Sequence, residues 1–91
     1  MKYKVEFTQR ALKDLKKMDR PTAALILGWI RKNLEGSENP RLFGKGLVAN
    51  RSGQWRYRVG DWRILAEIKD EKVIILVLNI GHRREVYDLP K

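Results

Sequence analysis

The sequence predicts an α+β domain in which a two-helix hairpin packs on a four-stranded sheet, and three patterns predict it. Polar and apolar residues alternate from Lys2 to Phe7, two stretches between Thr8 and Leu34 repeat their apolar residues at spacings of three and four, and three strand-like runs follow between Trp55 and Ile80. At 91 residues the chain has room for one domain, spanning 1–91, around a single core. A core that small leaves no enclosed substrate chamber, so any chemistry is expected on an open surface. The hydrophobic fraction of 43%, with three Trp and three Tyr, excludes a disordered basic tail.

Each element follows from local physical signals. Tyr3, Val5 and Phe7 share one side of the first strand, and Lys2, Lys4 and Glu6 the other. Thr8 supplies an N-cap hydroxyl, after which Ala11, Leu12, Leu15 and Met18 form an apolar stripe among charged residues. Pro21 suits the first turn of a second helix capped by Asp19 or Arg20, with Ala24, Leu27, Ile30 and Leu34 as its stripe and Gly36 placed to end it. Between Glu35 and Asn50 periodicity disappears among Gly, Ser, Asn and Pro, which predicts a long loop. Trp55, Tyr57 and Val59 then alternate with Arg56 and Arg58, Gly60-Asp61 makes a two-residue turn, and Trp62, Ile64, Ala66 and Ile68 alternate with Arg63, Leu65, Glu67 and Lys69. After Asp70-Glu71-Lys72, the near-continuous apolar run Val73 to Ile80 predicts a central strand covered on both faces and ended by Gly81.

Charge narrows the function classes. The chain carries 20 Lys and Arg against 11 Asp and Glu, a net charge of +9, which points to a polyanionic partner. From Arg41 to Arg63 there are six basic residues (Arg41, Lys45, Arg51, Arg56, Arg58, Arg63) and one acid, Asp61, so this quarter of the chain holds more than half of the net charge. With no cysteine there is no disulfide framework, thiolate zinc site or Cys nucleophile. The acids form no ligand-like cluster around the single histidine, so neither a metal nor another cofactor is expected. Gly44-Lys45-Gly46 is too short for a P-loop. With the charged opening Met1-Lys2-Tyr3-Lys4 no secretory signal is expected, and the longest apolar run, Val73 to Leu78, is far below the roughly 20 residues that cross a bilayer. A soluble cytoplasmic protein with no membrane partner is expected.

The turn at Gly60-Asp61 fixes a register in which Val59 faces Trp62, Arg58 faces Arg63, Tyr57 faces Ile64 and Arg56 faces Leu65. Three arginines therefore share one face, two of them directly opposed. Such pairing costs stability unless an anion occupies it, and the guanidinium fork suits phosphate. Beyond the central strand, Gly81-His82-Arg83-Arg84-Glu85-Val86-Tyr87 adds an imidazole, two guanidiniums and a phenol.

The segments Gln54-Trp55-Arg56-Tyr57-Arg58-Val59-Gly60-Asp61-Trp62-Arg63-Ile64 and Gly81-His82-Arg83-Arg84-Glu85-Val86-Tyr87, in this order behind a strand and a helix hairpin, resemble the RelE/ParE toxin superfamily, in particular its RelE-like branch. The resemblance covers essentially the whole chain. It implies the toxin of a type II toxin–antitoxin pair, a metal-independent endoribonuclease that cuts messenger RNA in the ribosomal A site and is neutralised by a RelB-like antitoxin in a hetero-oligomer. It places Arg56, Arg58, Arg63, Arg83 and Tyr87 at the catalytic positions. The basic character of their segments makes Arg41, Lys45, Arg51 and Arg84 the candidate RNA- or ribosome-binding residues. The implied reaction is attack of the RNA 2′-hydroxyl on the adjacent phosphate, leaving a 2′,3′-cyclic phosphate and a 5′-hydroxyl.

Arg stands at positions 56 and 58, where the best-known RelE pattern has Lys. A guanidinium, with a pKa above about 12, is a poor general base. Proton transfer therefore falls to His82 or Tyr87, or the reaction runs on charge stabilisation and alignment alone. Two rival readings share the scaffold: a ParE-like toxin that binds and inhibits DNA gyrase, and a non-catalytic RNA- or ribosome-binding module.

Overall fold

The first alternation forms β1 (Lys4–Phe7) in the computed structural model, which describes residues 2–46 and 54–82. The Thr8 hydroxyl accepts a hydrogen bond from Ala11 N–H and starts α1 (Gln9–Lys17), and the Asp19 carboxylate accepts from Thr22 N–H at the start of α2 (Arg20–Asn33), whose first turn contains Pro21. Each side chain satisfies an amide that the helix itself leaves without a partner. Four strands complete the order: β2 (Lys45–Gly46), β3 (Gln54–Val59), β4 (Trp62–Lys69) and β5 (Ile74–His82). No described helix is long and apolar enough to cross a membrane.

Among the described residues the sheet has five strands, one more than the sequence reading expects, in the order β1-β5-β4-β3-β2. β1 runs parallel to β5, and every other neighbouring pair is antiparallel. The additional strand is β2, two residues inside the predicted loop that pair Lys45 with Arg56 and Gly46 with Trp55. No periodicity announces so short a strand; close backbone approach makes it. A Cβ on Gly44, whose φ is 77°, would lie 2.2 Å from the Arg56 carbonyl oxygen, and one on Gly46 would lie 2.9 Å from the Trp55 ring. Only glycine fits there.

The β3–β4 hairpin has the predicted register, from Val59 opposite Trp62 to Arg56 opposite Leu65. Gly60 leads the turn with a φ of 61°, as a two-residue turn of the II′ kind requires. Tyr57, Val59, Ile64 and Ala66 on this hairpin and Ile75, Val77 and Ile80 on β5 meet Ala11, Ile26, Ile30 and Leu34 in one core. The predicted α2 stripe is corrected: Ile26 is buried, whereas Ala24 is exposed. Ala23 to Ile30 contains no charged residue, so no polar face marks which side of this helix packs.

β5 has no exposed residue, as expected of a strand covered on both faces, but it runs past Gly81 to include His82. A bulge shifts its pairing, with Leu65 opposite Asn79 and Ala66 opposite Val77, so Leu78 is the extra residue and Ile80 returns to the core face. β1 is only four residues long, and beyond it α1 takes over the bare edge of β5. Thr8 Oγ1 donates to the Leu78 carbonyl at 2.6 Å, and Asp14 Oδ2 accepts from Ile80 N–H at 2.9 Å. The outer edge of β1 is covered as well: Gly36 N–H donates to the Tyr3 carbonyl, Tyr3 N–H to the Ser37 carbonyl, and Val5 N–H to Glu35 Oε1. This sheet edge is thereby blunted against pairing with another chain.

Candidate functional site

The alternation that sends Tyr57 and Ile64 into the core sends Arg56, Arg58 and Arg63 to the opposite face of the hairpin. β2 adds Lys45 directly opposite Arg56, so like charges oppose one another twice, in Lys45–Arg56 and Arg58–Arg63. These four cations line an open cleft of about 440 Å³ together with Trp29, Phe43 and Gly44. No acid lines it. Opposed like charges destabilise a sheet, and a bound polyanion removes that cost.

The arginines differ in environment. Arg58 is exposed, Arg56 half-buried, and Arg63 only 4% exposed, with Nη1 within 3.5 Å of the carbonyl oxygens of Gly60 and Trp62. Across the sheet Arg63 faces Gly81, which contributes no side chain to compete for the space. Hairpin and glycine thus hold one guanidinium at the base of the cleft, while Arg58 reaches outward.

A second cluster fixes the loop that carries the cleft wall. Arg41 binds both carboxylate oxygens of Asp70, at 3.0 and 2.9 Å, and Tyr3 Oη donates to the same carboxylate at 2.6 Å. The Arg41 guanidinium also lies 5.8 Å from the centre of the Trp55 ring, within cation–π range. Trp55 Nε1 donates to the Phe43 carbonyl at 2.6 Å, and Tyr57 Oη to the Pro40 carbonyl at 2.6 Å. The bonds from Arg41 and Tyr3 hold the Asp70 carboxyl down to about 2, and the same carboxylate raises Tyr3 and Arg41 above their usual values. Burial pushes the Tyr57 phenol well above its usual range, so it stays a hydrogen-bond donor at physiological pH.

A pH dependence follows. The folded carboxyl lies below its unfolded value, so the stability contributed by Asp70 is complete above about pH 4 and disappears as pH falls toward 2. Asp70→Asn is expected to flatten the stability profile between those pH values in denaturant titrations, and an unchanged acid limb would exclude the cluster as a stabilising device.

The structure brings Lys45, Arg56, Arg58 and Arg63 together in the cleft. Arg41 is not among the lining residues and is engaged by Asp70. His82 pairs with Trp62 and sits edge-on to its ring at 5.6 Å, which places the imidazole on the Trp62 side of the sheet, away from the Arg63 side. It belongs to β5 rather than to the segment beyond it. Arg51, Arg83, Arg84 and Tyr87 lie outside the described residues. Sequence reasoning missed Trp29 and Phe43. An aromatic residue inside a turn-rich basic loop, immediately before Gly-Lys-Gly, was the available signal for Phe43; Trp29 was hidden within an apolar helix.

Fold and site together define a small α+β protein whose basic hairpin lines an open cationic cleft. Residues 5–87 match the model of the family described as the ParE toxin of type II toxin–antitoxin systems. The chain is 32% identical over 87 residues to Toxin RelG of Mycobacterium tuberculosis, covering 96% of this chain and 98% of that one. The toxin–antitoxin complex RelBE2 of the same organism contains a chain with a TM-score of 0.80 and 30% identity, with 91% of this chain and 93% of that one covered. The isolated RelE toxin of E. coli superposes with a TM-score of 0.72 and 26% identity, over 93% and 90% of the respective chains. This chain belongs to the RelE/ParE superfamily of type II toxins, in its RelE-like branch.

Proposed function

We propose that this toxin is a metal-independent endoribonuclease that cuts messenger RNA in the ribosomal A site, acting in the cytoplasm and neutralised by a RelB-like antitoxin. The observation that carries the reading is the cleft itself: among the described residues it is lined by four cations, in two like-charged cross-strand pairs set by the strand register, and by no acid. The RelE and RelG relatives favour RNA as the anion, and the complexes containing RelE-type chains favour an antitoxin partner.

The 2′-oxygen attacks the adjacent phosphorus as solvent water takes its proton, the bond from phosphorus to the 5′-oxygen breaks, and that oxygen takes a proton from water and leaves as a 5′-hydroxyl, the arginines stabilising charge rather than moving the proton. A 2′,3′-cyclic phosphate remains. Negative charge grows on the non-bridging oxygens during attack, and fixed donors aimed there lower the barrier without reorganising. Arg63 holds the phosphate from the base of the cleft, with Arg56 and Arg58 beside it. Arg83 assists the leaving oxygen and Tyr87 orients a base, while Lys45 steers the RNA backbone electrostatically.

Purified toxin added to a translating extract is expected to give new messenger 5′ ends that depend on ribosomes, and Arg58→Ala should remove them. Intact message together with blocked gyrase supercoiling would replace this reading with the ParE-like one. Equal cutting of free RNA would take the ribosome out of the mechanism. The antitoxin assignment is checked by co-purification with the protein encoded beside it.

A further inference from the structure

Phe43 is an exposed aromatic residue that the fold holds in place rather than buries. Its carbonyl accepts from Trp55 Nε1, and the next residue, Gly44, lies too close to the β3 backbone to carry a side chain. The ring therefore has little backbone freedom. It is 38% exposed and stands edge-to-face against Trp29, at 5.7 Å between centres and 71° between planes. Trp29 in turn packs against buried Tyr57 at 5.7 Å, which gives the pair a rigid base. Both rings line the same cleft as Lys45, Arg56, Arg58 and Arg63.

We propose that Phe43, backed by Trp29, is a stacking platform for a nucleobase of single-stranded RNA next to the phosphate held by the arginines. An aromatic wall beside a phosphate-binding cluster matches the two chemistries of one nucleotide, a flat apolar base and an anionic backbone. Stacking accepts any base, because each presents a π-face. The platform thus contributes to holding the nucleotide in the cleft without specifying sequence, a binding contact made equally before and during the chemical step. This inference rests on the RNA-cleaving reading above.

Single-turnover cleavage on ribosomes programmed with a short message tests it, with an intact or an abasic sugar on either side of the cut. Phe43→Leu keeps an apolar side chain but removes the ring; the toxin concentration giving half-maximal rate should rise by roughly ten-fold, with little change in the saturating rate. Phe43→Tyr should restore the wild-type value. On the message whose stacked base is missing, wild-type toxin should weaken by a similar factor and Phe43→Leu should weaken no further. Unchanged Phe43→Leu behaviour, or an equal loss on intact and abasic messages at both positions, would overturn the platform and make the ring a plain apolar contact. A thermal melt of each variant separates either outcome from unfolding. If wild-type toxin cuts no message, or Arg58→Ala cuts as well as wild type, the nuclease reading fails, and the platform fails with it.

Discussion

Replacing Arg63 by methionine is expected to slow message cleavage by about 10²- to 10³-fold, the usual cost of removing one preorganised donor from a developing oxyanion. Methionine fills much of the volume of the arginine stem, so the melting temperature should stay within about 5 °C of wild type. Burial makes this residue informative: Arg63 is 4% exposed at the base of the cleft, whereas Arg58 reaches into solvent and is screened by salt. Arg58→Ala should therefore show a loss that depends more strongly on ionic strength than that of Arg63→Met. Arg63→Lys keeps the charge but loses the planar fork, and should fall between methionine and wild type. Cleavage by Arg63→Met at the wild-type rate would remove this guanidinium from the reaction.

The largest stability effect is expected at Tyr57. Its side chain is fully buried and its hydroxyl satisfies the buried Pro40 carbonyl. Tyr57→Ala should cost about 3–5 kcal/mol in urea unfolding, a large part of the stability of a domain this small. Tyr57→Phe isolates the hydrogen bond: about 1–2 kcal/mol, or roughly 4–16 °C in melting temperature, because the Pro40 carbonyl stays buried without its donor. The same bond ties down the segment that leads to Phe43 and Lys45. Tyr57→Phe should accordingly weaken cleavage at temperatures well below its melt; a stability loss with unaltered cleavage would separate the loop anchor from the site.

Much of the site was legible because a two-residue turn leaves little freedom. Once Gly60-Asp61 is recognised, Arg58 must oppose Arg63, and alternation sets both on the face opposite Tyr57 and Ile64. What stayed hidden has no periodic signature. β2 depends on glycines fitting against a strand that contacts them only after folding. The bulge at Leu78 breaks the two-residue period inside an all-apolar run, where either face looks alike. Arg41 reads as one more cation of a basic stretch, yet its partner Asp70 lies 29 residues away, and nothing local couples them. His82 follows a glycine that looks like a strand end, and only the pairing with Trp62 shows the strand continuing.

The parallel pairing of β1 with β5 also sets an order of events during synthesis. Thr8 and Leu78, joined by a hydrogen bond, are separated by 70 residues, and closing so long a chain segment is slow relative to making a hairpin. The arginine hairpin can form from neighbours in sequence, whereas β1 leaves the ribosome first and waits for the last of these strands to be made. β5 then joins β1 on one side and β4 on the other, and places Gly81 against Arg63. A nascent chain halted before residue 74 has its basic hairpin but no sheet to brace it, so the finished cleft exists only once nearly all of the described chain has been translated.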